Sequence, residues 1–486
     1  MTVTTGAAAS GVPDQQDRIF AVSFIRFILC FTEPGAVTVP ACPDHDENAP
    51  WGRERAHLVA DTDPQGRPHL PGTSLAGALR DLARAAGGDE MADELFGHLL
   101  PAGTGGSEVD ARASLIWVLG SQPVAADGSE LAVVATGIRA STAISRERAA
   151  AENDTLRIDE VLPAGSRFEV FLRWDNAAGA DVERFAGWLT AWRPLIGRGV
   201  SRGRGQCAVE HVRHGTLRLD DQAGLLRWLT MSGPGLARAV ATTEVTGDGG
   251  AAGTRPLARV RVGITGPLRV GSGQPPERAG EQGQQVTPMF RVGGRYVLPG
   301  TGLKGLLRSR IEYILRSVGA VPDACPDQRC GRCWTCEVFG HGGGQDPGAR
   351  SVGARALVRV PDAVVEDPVP VTRQHVAIDR FTGGAQEGLL YTVEALESGT
   401  FDLVVEPLGP DLDEPRVAEI RALLRLALED LDDGLTGIGA GVARGYGSVR
   451  VGLAEAEERG DLPGLASARQ TLRDLVSGTA TAEVDE

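Results

Sequence analysis

The sequence predicts an α+β fold made of two tandem copies of one domain. Two observations lead there: four short motifs recur in the same order, and the hydrophobic periodicity around them repeats. Leu70-Pro71-Gly72-Thr73 returns as Leu298-Pro299-Gly300-Thr301, and Phe96-Gly97-His98 as Phe339-Gly340-His341. Ala143-Ile144-Ser145-Arg146 returns as Ala377-Ile378-Asp379-Arg380. Gly197-Arg198-Gly199-Val200-Ser201-Arg202-Gly203-Arg204-Gly205 returns as Gly439-Ala440-Gly441-Val442-Ala443-Arg444-Gly445-Tyr446-Gly447. Matches in one order mark a duplication with loop insertions.

The copies set the expected domains at residues 17–213 and 256–456. Residues 1–16 read as disordered, 214–255 as a helix near Leu217–Leu229 plus a glycine-rich linker, and 457–486 as a helix and acidic tail. Each copy opens on an apolar or alternating run, Ile19–Phe31 and Leu257–Ile264, which suits a strand. A long loop then reaches Pro-Gly-Thr, the start of a helix. Leu303, Leu306, Leu307, Ile311, Ile314, Leu315 and Val318 form its apolar stripe in the second copy; Leu75, Ala78, Leu79, Leu82 and Ala86 do so in the first. Two short strands follow, joined near Gly165 and near Gly399. A second helix comes next, with Pro415 in its first turn. The glycine-rich nonapeptide leads into closing strands, Gln206–Val212 and Ser448–Leu453. Strand, helix, strand, strand, helix, strand is the ferredoxin-like (RRM-like) order.

Composition fits a globular chain: 42% apolar, 23% charged and 5% aromatic residues. No apolar run reaches the roughly 18–20 residues of a membrane span, and the first residues lack a secretory pattern. The expected setting is the cytoplasm, with no membrane partner. A formal net charge of −15 argues against indiscriminate duplex binding, though not against a local basic groove. Lys304 is the only lysine among 49 basic residues, and it sits in the second Pro-Gly-Thr motif.

The glycine nonapeptides are the first candidate site. Closely spaced glycines let the backbone approach a phosphate, and Arg198, Arg202, Arg204 and Arg444 can pair with it. The expected phosphate-contacting set is Gly197, Arg198, Gly199, Arg202, Gly203, Arg204 and Gly205, then Gly439, Gly441, Arg444, Gly445, Gly447 and Lys304. Cys325, Cys330, Cys333 and Cys336 form the second candidate. Four thiolates at this spacing suit a structural zinc, with an iron–sulfur cluster as the rival.

Pro-Gly-Thr-x-Leu-Lys-Gly before a helix, Phe-Gly after it and the closing glycine nonapeptide together resemble the RAMP superfamily of CRISPR systems. The nearest likeness is to backbone subunits of type III effector complexes, here two fused in one chain. The resemblance implies binding of guide RNA along one face, contact with complementary target RNA, and other effector subunits as partners in antiviral defence. It also implies a thumb hairpin in each copy that wedges into the guide–target duplex. Arg139 and Arg146 mark the first thumb; Arg373, His375 and Arg380, with apolar Val376, Ile378 and Phe381, mark the second. Relatives carry similar zinc knuckles just before Phe-Gly. In members that cut target RNA, an aspartate lies between the first strand and first helix, aided by a divalent cation. The matching slots fall near Ala56 and Gln284, neither acidic, so Asp46 and Glu54 are the substitute candidates and only the first copy is favoured as an endoribonuclease. A nucleotide-binding enzyme is the alternative from another class.

Overall fold

The computed structural model describes residues 19–41, 53–99, 111–145, 150–246, 255–279, 284–319, 330–342, 353–409 and 412–482. In the first copy these form β1 (Ala21–Phe31), α1 (Gly72–Phe96), β2 (Ile116–Val124), β3 (Gly137–Ser141), β4 (Arg157–Val161), β5 (Arg167–Asp175), α2 (Gly179–Ala191) and β6 (Cys207–Arg218). The main sheet runs β6-β1-β5-β2, all antiparallel. Counting only these four strands, the spatial order is fourth, first, third, second.

Both faces of β1 are covered, which is why it reads as a continuous apolar run. Ile25, Phe27, Leu29 and Phe31 pack beneath α1 and α2. Val22 and Phe24 pack on the other face, under α4 (Gly233–Val240), which follows α3 (Gln222–Thr230). Arg26, the one charge in the run, is held by Glu169 at 2.7 Å. Glu169 also binds Arg238 of α4, so the interruption is a clasp between sheet and helix.

The second copy repeats the plan with β7 (Ala258–Ile264), α5 (Gly300–Ser317), α6 (Trp334–Phe339), β8 (Val358–Arg359), β9 (Glu366–Ile378), β10 (Ala385–Pro407), α7 (Glu414–Asp432) and β11 (Val449–Val451). Its sheet runs β11-β7-β10-β8, the same spatial order. The core lies between this sheet and α5 and α7. The closing α8 (Leu453–Glu458) and α9 (Leu465–Ala482) follow, and Leu465, Leu472 and Leu475 of α9 pack onto the same core. No helix among the described residues is long and apolar enough to cross a membrane.

Two sequence expectations change. The strands expected to meet near Gly399 are one strand, β10, which passes through that glycine at φ +147°. Leu217 belongs to β6, and the connecting helices begin at Gln222 and Gly233. Helix α1 continues to Phe96 but leaves helical geometry at Gly87 and Gly88. Residues 1–18 and the linker glycines at 247–253 lie outside the described residues.

The copies dock through polar groups. Arg139 of the first donates two hydrogen bonds to Asp362 of the second, both at 2.7 Å, and the pair is buried. Asp362 also accepts the Gly300 N–H at the start of α5, at 2.7 Å. Arg359, 2% exposed, pairs with Glu33 of the first copy and Glu406 of the second. Burial comes first among the influences on Glu33 and raises its pKa against the lowering pull of Arg359. Removing one member of such a pair leaves the other charge buried alone. Asp362→Ala is therefore expected to lower stability in urea unfolding by about 3–5 kcal/mol. An unchanged midpoint would contradict the clasp, and a paired Arg139→Met/Asp362→Leu change should recover much of the loss.

Candidate nucleic-acid interface

The two glycine nonapeptides adopt one conformation. Gly197, Gly199, Gly203 and Gly205 have φ between +75° and +91°, and Gly439, Gly441, Gly445 and Gly447 between +80° and +89°. Each encloses a short 3-10 turn, Val200–Arg202 or Val442–Arg444. Each is bonded to the chain just after the opening strand. Gly205 N–H donates to the Pro34 carbonyl at 3.0 Å, and Gly447 N–H to Pro267 at 2.7 Å. Arg198 and Ala440 make the matching bonds to Ala36 and Arg269. A Cβ on Gly205 or Gly447 would overlap the carbonyl of Ile196 or Ile438. These two glycines thus serve close packing of the backbone, and their amides are already committed.

The side chains around the turns differ between copies. In the first, Arg204 is buried and bonded to Asp159 at 2.6 Å, and burial lowers its pKa. Arg139, expected as a thumb cation, is instead taken up by Asp362. Neither guanidinium is free to meet a phosphate, because each already neutralises a buried carboxylate. Arg202 is half-buried, pushed down to about 10 first by burial and then by Arg204, Arg157 and Arg198. Arg198 and Arg157 are exposed. Lys304 is buried against the Val358 carbonyl at 3.3 Å and is pushed down to about 7, first by burial and then by Arg202 and Arg308.

In the second copy the turn carries aromatic groups. His375 of β9 stacks on Tyr391 of β10, ring centres 5.2 Å apart, and its Nε2 lies 2.8 Å from the Tyr446 hydroxyl. Arg444 donates to the Tyr391 hydroxyl at 3.2 Å, and Arg269 stands beside them with its pKa lowered by burial. Arg373 pairs with Glu397 at 2.6 Å. The β9–β10 hairpin then runs outward to Asp379–Gly384, with Ile378, Leu390 and Phe381 exposed, Phe381 at 92%. Arg380 is exposed at this tip.

The bases of the two hairpins border one cavity of about 310 Å³. Ile138 lines it from β3, Thr372 and Glu394 from β9 and β10, and Phe290 and Arg291 from the loop before α5. Glu394 fixes that loop by accepting the Met289 N–H at 2.9 Å and the Tyr296 hydroxyl at 2.6 Å. Glu160 does the same in the first copy, for Ala60 N–H at 2.8 Å and Thr136 at 2.6 Å. Sequence reading missed both, although Glu160-Val161-Leu162 and Glu394-Ala395-Leu396 place one acid at the same point of each apolar run. It also missed Arg157, Arg269, Tyr391 and Tyr446.

Cys330, Cys333 and Cys336 bring their sulfurs within 4.8 Å of one another, a soft donor set able to hold a metal ion. The Cys333 N–H points at the Cys330 sulfur at 3.3 Å, and Arg308 at the Cys336 sulfur at 3.2 Å. His341 lies beside this turn, its ring about 3 Å from where a Cβ on Gly331 would stand. Cys325, Asp46 and Arg146 lie outside the described residues. Glu54 is exposed on the turn Arg53–Arg55, Ala56 is buried, and Gln284 begins a short strand, Gln284–Thr287, beside β10.

No curated protein matches the chain. A family model described as the RAMP superfamily matches residues 52–208 and 264–450, more than half of the sequence and one region in each copy. The chain belongs to the RAMP superfamily, as two fused members.

Proposed function

We propose that this chain is a guide-RNA-binding backbone subunit of a type III CRISPR ribonucleoprotein, each copy a ferredoxin-like domain occupying one of two consecutive positions. The observation that carries the reading is the repeated pairing of a glycine turn with a hairpin base, the two hairpin bases bordering a common cavity. Phosphates would run past Arg198, Arg202 and Arg157 in the first unit, past Lys304 of α5 at the junction, and past Arg444 and Arg269 in the second unit. His375, Tyr391 and Tyr446 offer ring faces for bases, which stack on any aromatic surface irrespective of sequence. The exposed apolar tip at Ile378 and Phe381 suits a wedge between base steps.

The docking of the copies supports two consecutive positions. Leu357–Asp362 of the second copy, on which the first copy's turn is seated, matches Leu115–Gly120 of the first. There Trp117 is 55% and Leu119 46% exposed, so the equivalent face of the first copy is open to a neighbouring subunit.

The cysteine cluster supports a structural zinc, with Cys325 or His341 completing the tetrahedron and the protein supplying thiolates that neutralise the ion. Purified chain is expected to carry about one zinc per molecule. Cys330→Ser with Cys336→Ser should remove it and lower the unfolding midpoint. Metal analysis showing iron with a visible charge-transfer band would reject zinc.

Single-stranded RNA should bind with an affinity that falls as salt rises. Arg202→Ala with Arg444→Ala should reduce the salt slope by roughly 1.4, at about 0.7 per phosphate contact on a single strand. Filter binding at several salt concentrations measures this, and an unchanged slope would remove the glycine turns from the RNA path.

A further inference from the structure

Lys304 is the only lysine, and its surroundings suit neither ordinary form of its amine. It is 7% exposed, with one described acceptor, the Val358 carbonyl at 3.3 Å. An ammonium carries three N–H donors and a neutral amine two, so either form leaves a donor unmet among the described residues. The unpaired charges beside it are cationic. The turn Val200–Arg202 packs on α5 and brings Arg202, whose side chain makes no hydrogen bond to a described residue. Behind Arg202 stand Arg204, Arg157 and Arg198; the one acid among them, Asp159, is bonded to Arg204. Along α5, Arg308 is tied to Glu312, the Gly340 carbonyl and the Cys336 sulfur. On the facing strand Arg359 is paired with Glu33 and Glu406, and just beyond it Asp362 is paired with Arg139. Each of these carboxylates has its cation, whereas Lys304 and Arg202 have no carboxylate among the described residues. Burial, then Arg202 and Arg308, push the Lys304 amine down to about 7. Above that pH it is an uncharged nucleophile.

We propose that Lys304 is a site of reversible modification by carbon dioxide, forming a carbamate held by Arg202 of the first copy. The nitrogen lone pair attacks the carbon of CO2, one C=O electron pair moves onto oxygen, and one N–H proton leaves to solvent. R–NH2 and CO2 thus become R–NH–COO− and H+, with no oxidant or reductant involved.

The carbamate closes the donor count that the amine leaves open. Its single N–H serves the Val358 carbonyl, and its two oxygens accept from the fork of the otherwise unbonded Arg202 guanidinium. A repelled cation becomes a counter-ion, which relieves the like charges at the junction. CO2 is small and uncharged, so it needs no polar channel to reach a buried amine. An ordinary lysine, at about 10.4, stays almost wholly protonated near neutral pH and cannot compete for it. The site belongs to the free chain and does not depend on RNA binding; an RNA phosphate would contend with the carbamate for the same guanidinium.

The full chain equilibrated with carbon-13 bicarbonate at about pH 8, above the Lys304 midpoint, should show a carbamate carbonyl resonance. Lys304→Arg should abolish it and leave only the carbamate that the terminal amine can form. At fixed dissolved CO2 the wild-type signal should fade as pH falls through about 7, where the ammonium takes over. Arg202→Gln should lower the occupancy by about tenfold, the effect of roughly one pKa unit, because the amine regains its proton and the anion loses its partner. Trapping the wild-type chain with a trialkyloxonium salt, followed by mass spectrometry, should place the esterified carbamate on Lys304, and this needs no variant to fold. A spectrum with no resonance that Lys304→Arg removes, or trapped label on the terminal amine alone, overturns the site. An occupancy unchanged by Arg202→Gln overturns it as well.

Discussion

The buried contact between Arg359 and its carboxylates holds the rest of the molecule in register. Arg359 stands on the short return strand of the second copy, pairs with Glu33 from the first, and donates to the Val200 carbonyl inside the glycine turn at 3.3 Å. A guanidinium that is 2% exposed cannot stay there unless its partners do. Its position therefore fixes where the turn sits on the second copy. Arg139 and Asp362 repeat the logic a few residues away, and Asp362 links it to the first N–H of α5. Docking, turn and helix start are one hydrogen-bonded unit.

That unit explains which glycines the sequence needs and why. Gly203 faces the docked copy, and a Cβ there would stand 2.6 Å from the Asp362 nitrogen. Gly445, its counterpart, has the same left-handed backbone with open space around it. Both glycines serve the turn, but only Gly203 also serves an interface. The same division runs through the basic residues. Arg139 and Arg204 neutralise carboxylates within the protein, whereas Arg198, Arg202 and Lys304 form no ion pair with a carboxylate among the described residues.

Much of this was legible in the sequence because backbone requirements leave residue-specific marks. Pro71 and Pro299 cap their helices with nearly equal angles, and Gly97 and Gly340 turn the chain at φ +71° and +76°. Those needs repeat, so the motifs repeat, and the duplication could be read without a structure. Side-chain pairing left no such mark. Arg139 looks like any loop arginine until Asp362, far away in sequence, is seen beside it. The aromatic group of His375, Tyr391 and Tyr446 comes from a hairpin and a turn whose meeting only the fold decides. Cys325 and Asp46 were equally visible as letters, but local sequence gave no geometry that would choose among neighbouring thiols or acids.

The differences between copies follow one electrostatic rule. Where the copies meet, Arg359 faces Glu33, and both charges are satisfied. At the equivalent open face of the first copy, the arginine position is Trp117; beside the open turn of the second copy, the glutamate position is Gly266. Asp362 likewise becomes Gly120, and its partner's counterpart, Arg373, finds Glu397 within its own hairpin. Had only one side changed, any neighbour built on the same plan would bury a charge with no partner, at a cost of several kcal/mol. Because both sides changed together, the charged contact can form only inside the chain. The open face of the first copy instead carries exposed Leu115, Trp117 and Leu119, so neither member of the Arg359–Glu33 pair has a counterpart outside the junction.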